Sequence, residues 1–146
     1  MIVFSAIVPH SPLLVPSIGE AECEKLALTL KALSELEHAL YVAKPETILI
    51  VTPHAPMYPD SFSGNLHEGF EGILKEFGDH TVQIKTSVNF LVLDHIHRAL
   101  REAQIPFTLT SQAELDYGCT VPLLLLTPKL PSFQCIPLAP CLLGPQ

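Results

Sequence analysis

Two short segments carry the residue types that bind metals or move protons. One reads Val8-Pro9-His10-Ser11-Pro12 and the other Thr52-Pro53-His54-Ala55-Pro56. Each sets an imidazole directly behind a proline. The proline ring fixes its own φ and pushes the residue before it toward an extended backbone, so the histidine swings through a narrower range than in an ordinary loop. A lone loop histidine is more often a solvated or hydrogen-bonded residue than a ligand. A matched pair in matched surroundings shifts the balance toward a shared role, metal binding or catalysis. Two imidazoles with a carboxylate and open positions suit non-haem Fe(II); with a bound water they also suit Zn(II).

Both segments follow apolar runs that read as strands. Residues 2–8 are short, apolar and rich in β-branched side chains, as a strand covered on both faces should be, and residues 47–52 (TILIVT) have the same character. Between them, residues 20–42 place Leu26, Leu30, Leu33, Leu36 and Leu40 on one stripe, with Gly19 and Pro45 as brackets, which predicts a helix. Strand, helix, strand is a βαβ unit with parallel strands and a right-handed crossover. Ligands of parallel α/β sheets collect at the carboxyl ends of the strands, so His10 and His54 are expected to converge there although a whole helix separates them.

The remaining elements follow from spacing. Residues 61–78 contain Gly64, Gly69 and Gly72 and predict a loop or irregular hairpin. Residues 81–86 alternate as a strand does, residues 88–103 return to helical periodicity, and residues 105–110 predict another strand. Residues 118–126 predict a buried helix, with Pro122 tolerated only near its first turn, and residues 133–138 a last apolar strand. The sum is α/β: a three-layer αβα sandwich with a mostly parallel sheet, expected as a single domain over residues 1–146.

The chain has 146 residues, 8 Lys+Arg against 15 Asp+Glu, a formal net charge of −7, and 48% hydrophobic residues. That apolar content is incompatible with intrinsic disorder. An acidic chain without a basic stripe lacks the footprint that nucleic acid or an anionic membrane surface requires. No apolar run approaches the roughly 20 residues that cross a bilayer. The apolar start has no basic n-region and runs into Pro9 rather than a small-residue cleavage site, so a cytoplasmic protein is expected. Cys23, Cys119, Cys135 and Cys141 form no CxxC pair and are expected as free thiols.

Other candidates are weaker. His95 and His97 lie two apart on a predicted helix and point to different faces, and His38 is expected on a helix surface. His80 and His67 fall in the irregular middle, where His67, next to Glu68, is a minor candidate for the same site. The segment Glu114-Leu115-Asp116-Tyr117-Gly118-Cys119 stands between a strand and an apolar helix. Taken alone, it makes Asp116 an N-cap and Tyr117 a half-buried packing residue.

Together, PHSPLLVPSIG at the start, TPHAPMYPD after the second predicted strand and the later LDYGCTVPLLLL resemble, in that order, the class III extradiol ring-cleavage dioxygenase superfamily; the Memo-like proteins share that fold. The resemblance covers essentially the whole chain. It implies that His10 and His54 are histidine ligands of a catalytic Fe(II), and that a small aromatic diol of the catechol type chelates the iron and is cut beside the diol by O2. The family's DHG motif, whose histidine does acid/base work, reads Asp116-Tyr117-Gly118 here. A phenol titrating near ~10 donates a hydrogen bond or proton but is a poor base at neutral pH.

Members of that family are usually longer, and their later half supplies a glutamate ligand and a second histidine that no residue here matches. The chain therefore resembles the N-terminal half, which implies a homo-oligomer or a complementing second chain. Glu68, Asp60 and Asp116 stand as alternatives for the third ligand. Two rival functions remain: a Memo-like interaction module with a metal site but no turnover, and a Zn(II) hydrolase using Asp60 or Glu68 as general base.

Overall fold

The sheet is organised around β7 (Gln134–Ala139), an apolar strand with residues buried on both of its faces. A computed structural model describes residues 1–142. One edge of β7 pairs in parallel with β1 (Thr47–Val51), Thr47 opposite Gln134 and Val51 opposite Leu138. Along its other edge, the first residues of β7 meet the end of β4 (Asp79–Val88) in parallel and its last residues meet β2 (Phe62–Asn65) antiparallel. Beyond β2 lies β5 (Phe107–Thr110), parallel; beyond β4 lies β3 (Gly69–Leu74), antiparallel, and then the two-residue β6 (Glu114–Leu115), parallel. This is the expected α/β sandwich with a mostly parallel, mixed sheet.

Three longer helices cover it. The first, α3 (Ala27–Ala43), turns Leu33 and Leu40 inward and packs against α5 (Tyr117–Leu126). The helix α4 (Phe90–Glu102) begins at Asn89, whose side chain accepts from Val92 N–H and donates to Thr47 Oγ1 at 2.8 Å, fastening the helix start to β1. Leu93 and Ile96 of α4 join Cys119 and Leu123 of α5 and Cys135 and Ile136 of β7 in the main core. A smaller cluster of Val15, Leu74 and Val121 lies beside it. None of the helices in the described residues is long and apolar enough to cross a membrane.

Three expectations are corrected. Residues 2–8 form no strand: Ile2 and Ile7 are exposed, and no crossover with β1 exists among the described residues. A β-branched run becomes a strand only where a ladder and a covering layer meet it, because β-propensity measures fit to those surroundings rather than an intrinsic backbone preference. The helix predicted over residues 20–42 is broken at Leu26 into α2 (Glu22–Lys25) and α3, with a separate turn of helix, α1 (Pro16–Gly19), before it. Glu20 adopts a left-handed φ of 42°, and Gly19 before it lies so close to the Leu13 carbonyl that a Cβ would collide. Pro122, expected near a helix start, sits well inside α5 and is buried, so the Gly118 carbonyl lacks its usual intrahelical donor.

Residues 61–78, expected as a loop or irregular hairpin, carry β2 and β3, which do not pair with each other; the hairpin is β3 with β4, joined by the turn at residues 75–78. Gly78 takes φ 89° at that turn, and Asp79 follows, buried. Its carboxylate accepts from the Ser17 hydroxyl of α1, from Thr81 N–H at 2.7 Å and hydroxyl at 2.8 Å, and from Val82 N–H at 3.0 Å. These donors, Ser17 foremost, hold the carboxyl well below its ordinary range. A depressed folded-state pKa contributes stability that is complete above about pH 4 and lost as pH falls toward the folded value. Urea midpoints should therefore fall on acidification below about pH 4, and Asp79→Asn should lower the neutral-pH midpoint and flatten that acid limb; equal acid limbs in the two proteins would show that Asp79 carries no such term.

Candidate functional site

His10 and His54 meet. Their Nε2 atoms are 2.9 Å apart and their rings stand edge to face, with centroids 4.8 Å apart. His10 is brought there from downstream rather than by a strand upstream. The 3-10 turn Pro12–Leu14 closes with Leu14 N–H on the Ser11 carbonyl and Val15 N–H on the Pro12 carbonyl. Leu14 and Val15 are then buried, Val15 against Leu74 and Val121, and Ser17 is tied to Asp79.

His54 is placed by the end of β1. Thr52, 1% exposed, donates its hydroxyl to Asp116 Oδ1 at 2.7 Å and accepts from His54 N–H at 3.1 Å. Asp116 is the N-cap of α5 and also accepts from Cys119 N–H at 3.2 Å. One hydroxyl thus joins the end of the strand that delivers His54 to the start of the helix that carries Tyr117. Gly118 makes the approach possible: a Cβ there would stand 2.5 Å from Thr52 Oγ1 and 3.0 Å from His54 Cδ2.

Tyr117 completes the group. Its ring lies 4.2 Å from that of His54 and 5.9 Å from that of His10, with Phe77 edge-on at 5.3 Å. Both expectations for Asp116 and Tyr117 as N-cap and half-buried packing residue hold, and the same packing sets Tyr117 against the histidines. Thr52 and Phe77 carry no signal in the sequence beyond their types; the glycine after Asp116-Tyr117 is the one hint of a close approach.

The other candidates are elsewhere. His67 Nδ1 lies 2.6 Å from the Gly69 carbonyl in the β2–β3 connection, His97 packs near Phe107, and His38, His80 and His95 are exposed. Asp60 and Glu68 are exposed and do not line the cavity described below. Among the described residues, no group of three His, Cys, Asp or Glu side chains is arranged to hold a metal ion. The thiol of Cys119, below the site, is pushed far up by burial and by Asp116, and burial pushes Cys135 up to about 12, so neither is a thiolate ligand at neutral pH.

The pair itself fits a cation. Two nitrogens each about 2.1 Å from one ion at right angles are about 3.0 Å apart, close to the separation observed. The alternative occupant is a single proton, given by one ring and accepted by the other. Beside the pair opens a cavity of about 540 Å³ whose wall includes His54, Ser63, Asn65, Tyr117, Pro137 and Ala139. That volume is ordinary for a small-molecule site.

Residues 5–142 match the family model described as the catalytic LigB subunit of aromatic ring-opening dioxygenase. The chain belongs to this family. The LigB-family chain is also 28% identical over 126 residues to Protein CA_C1420 of Clostridium acetobutylicum, an alignment covering 80% of this chain and 27% of that protein. The chain thus spans about a quarter of that relative's length.

Thr52→Val keeps the shape but removes both bonds, leaving His54 N–H without its side-chain acceptor and Asp116 Oδ1 with Cys119 N–H alone. The expected cost is about 1–3 kcal/mol in urea denaturation, with Thr52→Ser recovering most of it. Valine as stable as threonine would contradict the latch.

Proposed function

We propose that this LigB-family domain binds Fe(II) through His10 and His54 and opens the ring of a catechol-type diol with O2. The observation that carries the proposal is the 2.9 Å approach of the two Nε2 atoms beside a cavity large enough for a substituted ring. Family membership supplies the reaction class, aromatic ring opening.

In this reading His10 and His54 present their Nε2 lone pairs to one ion and leave its remaining positions to ligands from the cavity. Fe(II) bound there would supply adjacent open positions for the diol and O2. Pro137 and Ala139 offer the apolar wall for the ring. In this reading Tyr117, whose ring lies 4.2 Å from that of His54, serves as proton donor, its phenol O–H giving a hydrogen bond or a proton to a ring oxygen. The Thr52–Asp116 contact keeps His54 and Tyr117 at a fixed distance as substrate enters. Zn(II) is the alternative ion for the same nitrogens. A hydrolytic role for that ion needs a carboxylate base; Asp60 and Glu68 do not line the cavity, whereas Glu76, Glu114 and Asp116 do.

Anaerobic titration with Fe(II) should show one site per chain, weakened at least about 100-fold in His10→Ala/His54→Ala, since removing ligands costs more than the 10–100-fold of removing their supporting partners. Catechol should then drive O2 uptake in the wild type and not in the double variant. Unchanged metal affinity in that variant contradicts the assignment. Metal binding without O2 uptake across a catechol panel favours the Memo-like reading, a binding module in which Tyr117 serves packing alone.

A further inference from the structure

Strand β2 gives the cavity a buried polar wall. Side chains along a strand alternate between its two faces. A Cβ on Gly64 would stand 2.6 Å from Phe107 and 3.2 Å from Leu138, so that face is packed with apolar side chains, and Ser63 and Asn65 share the other. Both line the cavity that His54 and Tyr117 border, and they are only 2% and 8% exposed.

The Asn65 amide is fixed by its surroundings. Its Oδ1 accepts from His67 N–H and Gln112 N–H, each at 3.1 Å, and its Nδ2 donates to the Gln112 carbonyl at 2.8 Å. Two donors on one atom and a carbonyl on the other leave oxygen and nitrogen no freedom to exchange places. An amide nitrogen carries two hydrogens, and the second has no acceptor among the described residues. Ser63 is the complement: its hydroxyl hydrogen goes to the Pro56 carbonyl at 2.7 Å, which leaves its oxygen lone pairs without a donor among the described residues. A buried donor and a buried acceptor thus stand two residues apart on the cavity face of one strand, each with unused capacity.

We infer that Asn65 and Ser63 determine specificity: the ring accepted by this cavity carries a neutral carboxamide, whose oxygen accepts from Asn65 Nδ2–H and whose N–H donates to Ser63 Oγ. This rests on the reading of the cavity as a diol site. A buried polar group left without a partner costs free energy, and a ligand that brings the missing partner recovers it. A carboxylate in the same place would give up its water for one neutral donor, and it has no proton to offer the Ser63 lone pairs. An unsubstituted ring would leave both groups without a partner from the ligand.

The test is calorimetric titration of the Zn(II)-loaded chain with catechol, protocatechuamide and protocatechuate. The amide should bind about threefold to tenfold tighter than catechol, the range of one neutral hydrogen bond, and protocatechuate weaker than the amide. Asn65→Asp keeps an acceptor for the His67 and Gln112 N–H groups and removes the donor, while Ser63→Ala removes the acceptor. Each should lower the amide-to-catechol affinity ratio about threefold, a change that a general loosening of β2, which weakens both ligands alike, does not produce. The ranking in the wild type decides even where a variant fails to fold. An amide no tighter than catechol, protocatechuate tighter than the amide, or a ratio that no folded variant lowers overturns the inference, while catechol binding leaves the diol site standing. Binding of none of the three overturns the inference together with the reading beneath it.

Discussion

Two imidazole nitrogens 2.9 Å apart must have something between them. Two lone pairs facing each other across that distance repel, and so do two N–H groups, which leaves one proton or one cation as the occupant. The other contacts at the site serve that separation. Leu14 and Val15 sink the chain just after His10 into the core, and Thr52 ties the backbone of His54 to the start of α5. The placement of the pair and fold stability are thereby linked: the donors that hold the histidines also hold α1 to β4 and β1 to α5.

The cost of this arrangement is visible in close approaches that tolerate little change. Gly118 and Gly19 both sit where a Cβ would strike a neighbour, one against Thr52 and His54, the other against the Leu13 carbonyl. Both glycines flank segments that deliver a site residue. Beneath the site Cys119 and Cys135 are kept as thiols by burial. The candidate site residues stand at the rim, where His10 and Tyr117 are half-buried and His54 is open to the cavity.

The meeting of His10 and His54 was expected from matched proline-flanked loops, and much of the sheet was legible in the sequence, because β1, β5, α5 and β7 are short apolar runs and α4 has a helical period. The route by which His10 arrives was not. Residues 2–8 look like a strand in isolation, but pairing is decided by partners that no local pattern encodes. The irregular start of the predicted helix was hidden for a related reason: the leucine stripe begins only at Leu26, while the tight contact of Gly19 with Leu13 beside the left-handed Glu20 is tertiary. Asp116 was readable as a cap from its place before an apolar run. Thr52 was not, since a threonine closing a strand has no distinctive spacing, and its role emerges only once Asp116 lies 2.7 Å away.

Anomalous diffraction from crystals of the chain grown with Fe(II) or Zn(II) tests the central claim most directly. The account predicts a single peak about 2.1 Å from both His10 Nε2 and His54 Nε2. A peak bound elsewhere, or rings turned away from each other with no ion between them, would contradict it.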